Sequence, residues 1–271
     1  MPKIDWDDAF ANSAYIPDGA TYPVRWRQDA NSFIETQQRF ELDIPYGEHP
    51  RQKFDLFCPS TKPIGLVVFV HGGFWLDFDK SYWSHLAKGA CEQGWAVAIP
   101  SYVLAPQATI AEITLMIALA IESSGKRVDG PIVLSGHSAG GHLVTRMVCQ
   151  PSPLKDNTKA RIARVVSISG VHDLRNLIHT RMNNQLRLSL DEAIAESPAL
   201  QAPTASTDVT CWVGSEERPE FLDQTNTLRD AWKNHLARIH VVVEPNRHHF
   251  DVIGSLSNPN SPLTMTLVGD T

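Results

Sequence analysis

The sequence predicts an α/β fold: a mostly parallel central sheet with helices on both faces and an insertion over the active edge. Three observations predict it. Short apolar runs rich in β-branched residues recur along the chain, segments of helical spacing separate them, and glycines punctuate the junctions. Runs apolar on both faces belong inside a parallel sheet, because crossover helices cover both of its sides. Strand, helix and strand in regular succession build such crossovers, and ligands then sit at the carboxyl ends of the strands.

Taken in order, "RFELDIPYG" and "KFDLFCP" alternate apolar with polar residues and predict an antiparallel entry hairpin. The parallel strands are expected at 66–70 (LVVFV), 95–99 (WAVAI), 132–136 (IVLSG), 164–169 (RVVSIS), 209–213 (VTCWV) and 239–243 (IHVVV). Helices are expected over 80–94, closed by Gly94, and over 109–125, where Thr109 and Glu112 form a capping box and Gly125 a stop. A third is expected over 224–237. The stretch 170–203 is too long for a bare connection and carries helical patches such as 191–197, so it reads as a cap or lid insertion within one domain spanning 1–271. The tail from residue 255 is either loose or a cover for an edge.

Length and charge narrow the function. A chain of 271 residues is long enough for two domains, but α/β folds of this length are frequently one. A net charge of -6 without any basic run excludes a protein that grips a phosphate backbone, which needs clustered Lys and Arg. The first ten residues are acidic where a signal peptide is basic and then apolar, and no stretch reaches the ~18 apolar residues of a membrane span. A soluble cytoplasmic protein without nucleic-acid or membrane partners is expected. Cys58, Cys91, Cys149 and Cys211 are scattered, with neither zinc spacing nor a disulfide framework, and are expected as small buried hydrophobes.

The chemistry concentrates where the run at 132–136 ends. Gly136-His137-Ser138-Ala139-Gly140 is a G-x-S-x-G that follows a predicted strand and opens a predicted helix. A serine on so sharp a turn needs unusual backbone angles, and glycines beside it keep neighbouring chain from colliding. A second loop, "FVHGGFW" at 69–75, follows the run at 66–70. Its Gly73 and Phe74 amides, with that of Ala139, are the candidate oxyanion donors, while His71 is expected to pin the loop by hydrogen bonding. A serine hydroxyl is a weak nucleophile until a base takes its proton, and the base needs an acid to hold its tautomer. The acid should follow the run at 209–213, where "GSEERPEF" offers Glu217 and, less well placed, Glu216. The base should follow the run at 239–243, where "NRHHFD" offers His249 ahead of His248. No partner stands at metal-ligand spacing to these histidines, so neither a metal nor another cofactor is implied. His172, just past the run at 164–169, is a candidate substrate contact.

With these residues in hand the chain resembles an α/β-hydrolase, and within that fold the kynurenine formamidase (arylformamidase) branch. The similarity rests on H-G-G-aromatic-W at 71–75, "SYVLAPQATIAEIT" at 101–114, G-H-S-A-G-G-H at 136–142, "SGVHDL" with the later "ESP", "RPEF" followed by Gln224, and H-F-D at 249–251. H-G-G and Y-x-L-A-P are shared with hormone-sensitive-lipase-like esterases; Trp75, "RPEF" and H-F-D lean towards the formamidases. The resemblance implies a Ser138–His249 pair, with Glu217 standing where those enzymes generally carry aspartate. It also implies a formyl-aryl amide substrate such as N-formylkynurenine, with Phe74 and Trp75 beside the acyl pocket unless they are core residues. A broad short-chain carboxylesterase is the alternative, and a non-catalytic binding protein of the same fold a remote one, because all three roles of a triad are occupied. The oligomeric state is left open.

Overall fold

The structure, a computed structural model, describes residues 4–204, 207–235 and 238–269. Eight strands form one sheet: β1 Phe40–Pro45, β2 Lys53–Phe57, β3 Leu66–Val70, β4 Ala96–Pro100, β5 Ile132–His137, β6 Ile162–Ile168, β7 Asp208–Gly214 and β8 Arg238–Glu244. Their order is β1-β2-β4-β3-β5-β6-β7-β8. The entry hairpin β1–β2 is antiparallel and meets β4 antiparallel, and every later pairing is parallel. This is the α/β-hydrolase fold.

Strand alternation divides the apolar residues between two cores. Leu66, Val68 and Val70 of β3, Ala96 and Ala98 of β4, and Val209, Cys211 and Val213 of β7 face one layer. Val67, Phe69, Val97, Ile99 and Trp212 face the other. Successive side chains point to opposite faces, so both layers must be roofed by helices. Ile110–Gly125, Ala139–Arg146 and Pro219–Trp232 cover the first; Tyr22–Thr36, Lys88–Glu92 and Pro262–Val268 cover the second.

Several expectations change in the folded chain. The Ile110–Gly125 helix carries the Thr109–Glu112 capping box as expected. The segment 80–94 is not one helix but two 3-10 turns, Lys80–Tyr82 and Ser84–Ala87, and a short helix Lys88–Glu92. Trp83 breaks it: its indole is buried against Trp26, with ring centroids 4.7 Å apart, and its backbone (φ -123°, ψ 2°) leaves the helical path. The third helix begins earlier than 224, at Pro219, because a proline at the first helical position is preset for it. Residues 236–237, its expected end, lie outside the described residues. β8, expected as a central strand, is an edge strand whose Val243 is exposed. Described residues of the tail cover the sheet, with Leu263, Leu267 and Val268 buried in the second core.

The N-terminal segment was not foreseen. Residues 4–21 form short turns across the top of the sheet, and Tyr22–Thr36 is a full helix. Tyr22, Trp26, Ala30 and Phe33 recur at helical spacing, and this signal was legible in the sequence. The stretch 170–203 folds into short helical pieces at Arg175–His179, Asn183–Leu186, Leu190–Glu196 and Pro198–Leu200, with Leu174, Leu177, Leu186 and Leu188 buried beneath.

Candidate active site

β5 runs into Ser138, whose backbone stands at φ 55° and ψ -117°, and the helix Ala139–Arg146 starts at the next residue. A left-handed φ is costly for a residue with a Cβ, about 1–3 kcal/mol, and persists where surrounding contacts over-determine it. Here they do. The Ser138 amide donates to the Ile168 carbonyl at 2.8 Å. A Cβ on Gly136 would lie 2.2 Å from the Gly140 carbonyl oxygen, and one on Gly140 would lie 1.9 Å from that of Val70, so both positions require glycine.

The loop after β3 lies against this turn. Gly73, Phe74 and Trp75 all have positive φ (105°, 50° and 60°), so three consecutive peptide units depart from extended geometry. The Leu76 and Asp77 amides donate to the Gly73 carbonyl, and the Ala105 amide donates to that of Trp75. The His71 ring stacks on Tyr102, with centroids 4.4 Å apart. Its Nδ1 lies 2.7 Å from the Gly72 carbonyl, and burial lowers its pKa to about 4, so a neutral His71 braces the loop. Among the described residues the amides of Gly73, Phe74 and Ala139 donate to no protein acceptor.

Glu217 leaves the turn after β7 and is buried; its Oε2 lies 2.6 Å from Nδ1 of His249. Its other oxygen accepts from the Gly214 amide at 2.9 Å and from the Ser169 hydroxyl. Glu216 points to solvent. Ser169, which the sequence did not single out, sits at the end of β6 with φ 51° and completes the shell around the longer glutamate arm. His249 packs against Phe221 and His137, with ring centroids 4.3 and 4.6 Å away. With Nδ1 taken by the carboxylate, Nε2 is the ring atom left for chemistry.

His137 supports this arrangement from within the G-x-S-x-G. Its Nε2 lies 2.9 Å from the His249 carbonyl, and burial holds its pKa well below the usual imidazole value. A neutral ring facing a carbonyl must carry its proton on that nitrogen, so His137 donates to the main chain of His249. His248 turns away: Nε2 pairs with the Tyr22 hydroxyl at 3.0 Å, and Nδ1 accepts from the Phe250 amide.

Ser138, His137 and His249 line one cavity of about 630 Å³ together with Gly72, Gly73 and Phe74. Its remaining walls come from the stretch 7–14, from Trp26, Leu76, Asp77, Phe78, Trp83 and Phe250, and from Arg181 and Met182 of the 170–203 stretch. Trp75 and His172 are not among the lining residues. Trp75 is fully buried edge-on to His142, its centroid 5.1 Å away, and is a core residue. His172 is fully buried below the strand ends, between the Ser167 hydroxyl and Gln224, and burial lowers its pKa to about 3. A groove of about 780 Å³ lies elsewhere, along Phe33, Cys58 and Lys88, and contains none of Ser138, Glu217 or His249. Among the described residues no group of three or more His, Cys, Asp or Glu is placed to hold a metal, and no helix is long and apolar enough to cross a membrane.

The BD-FAE family model matches residues 54–226, from β2 into the helix that follows β7. The chain is 28% identical over 240 residues to a kynurenine formamidase of Danio rerio, covering 84% of this chain and 80% of that one. It is 26% identical over 258 residues to the kynurenine formamidase of Drosophila melanogaster, covering 89% and 85%. A crystal structure from Silicibacter sp. TM1040, provisionally described as a thioesterase, superposes with a TM-score of 0.93 at 49% identity, covering 98% of this chain and 99% of that one. A family model spanning most of the sheet, and relatives aligned over four-fifths or more of the chain, lead to one assignment: the chain belongs to the BD-FAE family and is a serine hydrolase of the α/β-hydrolase fold.

Proposed function

We propose that the protein hydrolyses a formyl or other small acyl group from an arylamine or aryl alcohol, with N-formylkynurenine as the best-fitting substrate class. One observation carries the reading: an imidazole clamped by a buried carboxylate lies in the same cavity as the turn serine and three amides without acceptors. Ser138 Oγ attacks the acyl carbon while His249 Nε2 takes its proton, and the carbonyl oxygen becomes an oxyanion held by the amides of Gly73, Phe74 and Ala139. Collapse breaks the bond to the aryl nitrogen or oxygen, which leaves with the proton from His249. Water, deprotonated by the same imidazole, then releases formate or the short acid and restores the hydroxyl. Glu217 holds the tautomer and stabilises the imidazolium.

The aromatic walls contributed by Phe10, Phe74, Phe78 and Trp83 favour a planar leaving group, and the kynurenine formamidases aligned above act on such an amide by name. The segments 4–16 and 170–203 serve as the cap over the site. A carboxylester or thioester hydrolase is the second reading, favoured by the provisional name of the Silicibacter protein. Ser138→Ala is expected to lower kcat by about 10⁴- to 10⁶-fold on any acyl substrate. Unchanged hydrolysis of p-nitrophenyl acetate by that variant ends the assignment of Ser138. For the substrate, kcat/KM on N-formylkynurenine is compared with that on short-chain esters and thioesters. A strong preference for either of the latter removes the formamidase reading.

A further inference from the structure

Two polar groups of the cavity wall have no part in the acyl chemistry. Asn12 is 7% exposed and stands beside His249, yet its side chain bonds to no described residue and its Oδ1 is buried without a partner. Oδ1 is shut off from solvent, whereas Nδ2 is not among the buried atoms, so the amide presents an unused donor to a ligand that carries an acceptor. Arg181 is the second. Its main-chain amide and its Nε each bind an oxygen of Asp7, at 2.7 and 2.9 Å, which fixes the plane of the guanidinium. The two terminal nitrogens have no partner among the described residues, and the side chain is 86% exposed. Among the described residues lining the cavity, Arg181 is the one permanent cation, in a chain of net charge -6. A guanidinium held in place with both Nη free is a fork shaped for a carboxylate, and anchoring by Asp7 removes much of the ordering cost of using it.

We propose that Asn12 and Arg181 form a leaving-group subsite that selects aryl leaving groups bearing a free carboxylate and a hydrogen-bonding substituent next to the scissile bond. Asn12 Nδ2 donates to the substituent inside the cavity and Arg181 takes the carboxylate at the mouth, with the ring held between Phe10 and the aromatic wall opposite. The inference rests on the hydrolase reading above.

The test uses two matched pairs, formanilide with N-formylkynurenine and phenyl acetate with O-acetyl-L-tyrosine; only the second member of each carries a carboxylate. The wild type is expected to favour that member in kcat/KM. Arg181→Ala is expected to reduce the preference about tenfold, mainly through KM, and Arg181→Lys to restore part of it. Asn12→Ala is expected to lower kcat/KM for N-formylkynurenine, whose ketone neighbours the formamide, more than for formanilide. A wild-type preference within twofold, or one unaltered in Arg181→Ala, overturns the proposal. If neither formamide is turned over but the ester pair shows an Arg181-dependent preference, the formamidase reading fails and the subsite stands. If both formamides are hydrolysed equally well, the subsite fails and the formamidase reading stands. Because Arg181 also ties the N-terminal segment through Asp7, inhibition of the wild type supplies a readout free of folding effects. 4-Phenylbutyrate is expected to inhibit about tenfold more tightly than 4-phenylbutanamide, and equal inhibition again overturns the proposal.

Discussion

Glu217 shows how much rests on one side chain. Its two oxygens satisfy a ring nitrogen, a main-chain amide and a hydroxyl inside a nearly dry pocket. Glu217→Gln preserves shape and volume but offers the imidazole a neutral partner that no longer stabilises its charged form. The expected result is a fall in kcat of about 10⁴ with little change in melting temperature. Glu216→Gln is expected to remain within twofold of wild type, since Glu216 points to solvent. Steady-state kinetics on p-nitrophenyl acetate distinguish them, and equal losses in the two variants contradict the assignment of Glu217 as the acid. Chain order narrows the proposed acid to these neighbours. The environment that separates them, including Ser169 at the end of another strand, arises when β6 and β7 pair.

The turn between β5 and its helix carries the same logic in the backbone. Gly140→Ala would put a methyl carbon 1.9 Å from the Val70 carbonyl oxygen, and the group in the way is main chain of a central strand that cannot rotate aside. A loss of about 3 kcal/mol or more is expected, together with displacement of the Ala139 amide. Urea unfolding that overlays the wild type would rule this collision out. The pattern G-x-S-x-G, framed by an apolar run and a helical segment, announces this turn in the sequence. The break at 80–94 is not announced, because a helical pattern carries no sign that Trp83 will be drawn out of register by Trp26, more than fifty positions earlier. For the same reason β8 reads as central from its valines, while its place at the edge follows from the order of the sheet.

Across the molecule, buried neutral histidines tie stability to acidity. In the unfolded chain these imidazoles titrate near pH 6.5, whereas burial lowers His71 to about 4 and His142 and His172 to about 3. Above pH 6.5 both states are unprotonated at these sites and nothing is lost. As pH falls from 6.5 towards 4 the unfolded chain takes up protons that the folded chain refuses, so stability drops. The slope from these groups vanishes again once the folded state protonates. Each contributes at most about 1.4 kcal/mol per pH unit, so the three together reach about 4. The urea midpoint is expected to hold between pH 8 and 7 and to decline steeply below 6.5; a constant midpoint down to pH 5 refutes this.

Local pattern was sufficient for the strands, the capped helix at Ile110–Gly125 and the serine turn, because each depends on neighbours within a few positions along the chain. Which aromatic groups line the cavity was settled only by folding. Trp75 looked like a pocket residue by its position next to Phe74, but Phe74 lines the cavity while the Trp75 indole went into the core against His142. Phe10, Asn12 and Arg181 carry no motif, and they reach the site because residues 4–16 and 170–203 are packed together over the strand ends. Short-range patterns report backbone preference and burial; a cavity is the space left between segments distant in the chain, and its walls exist only once those segments meet.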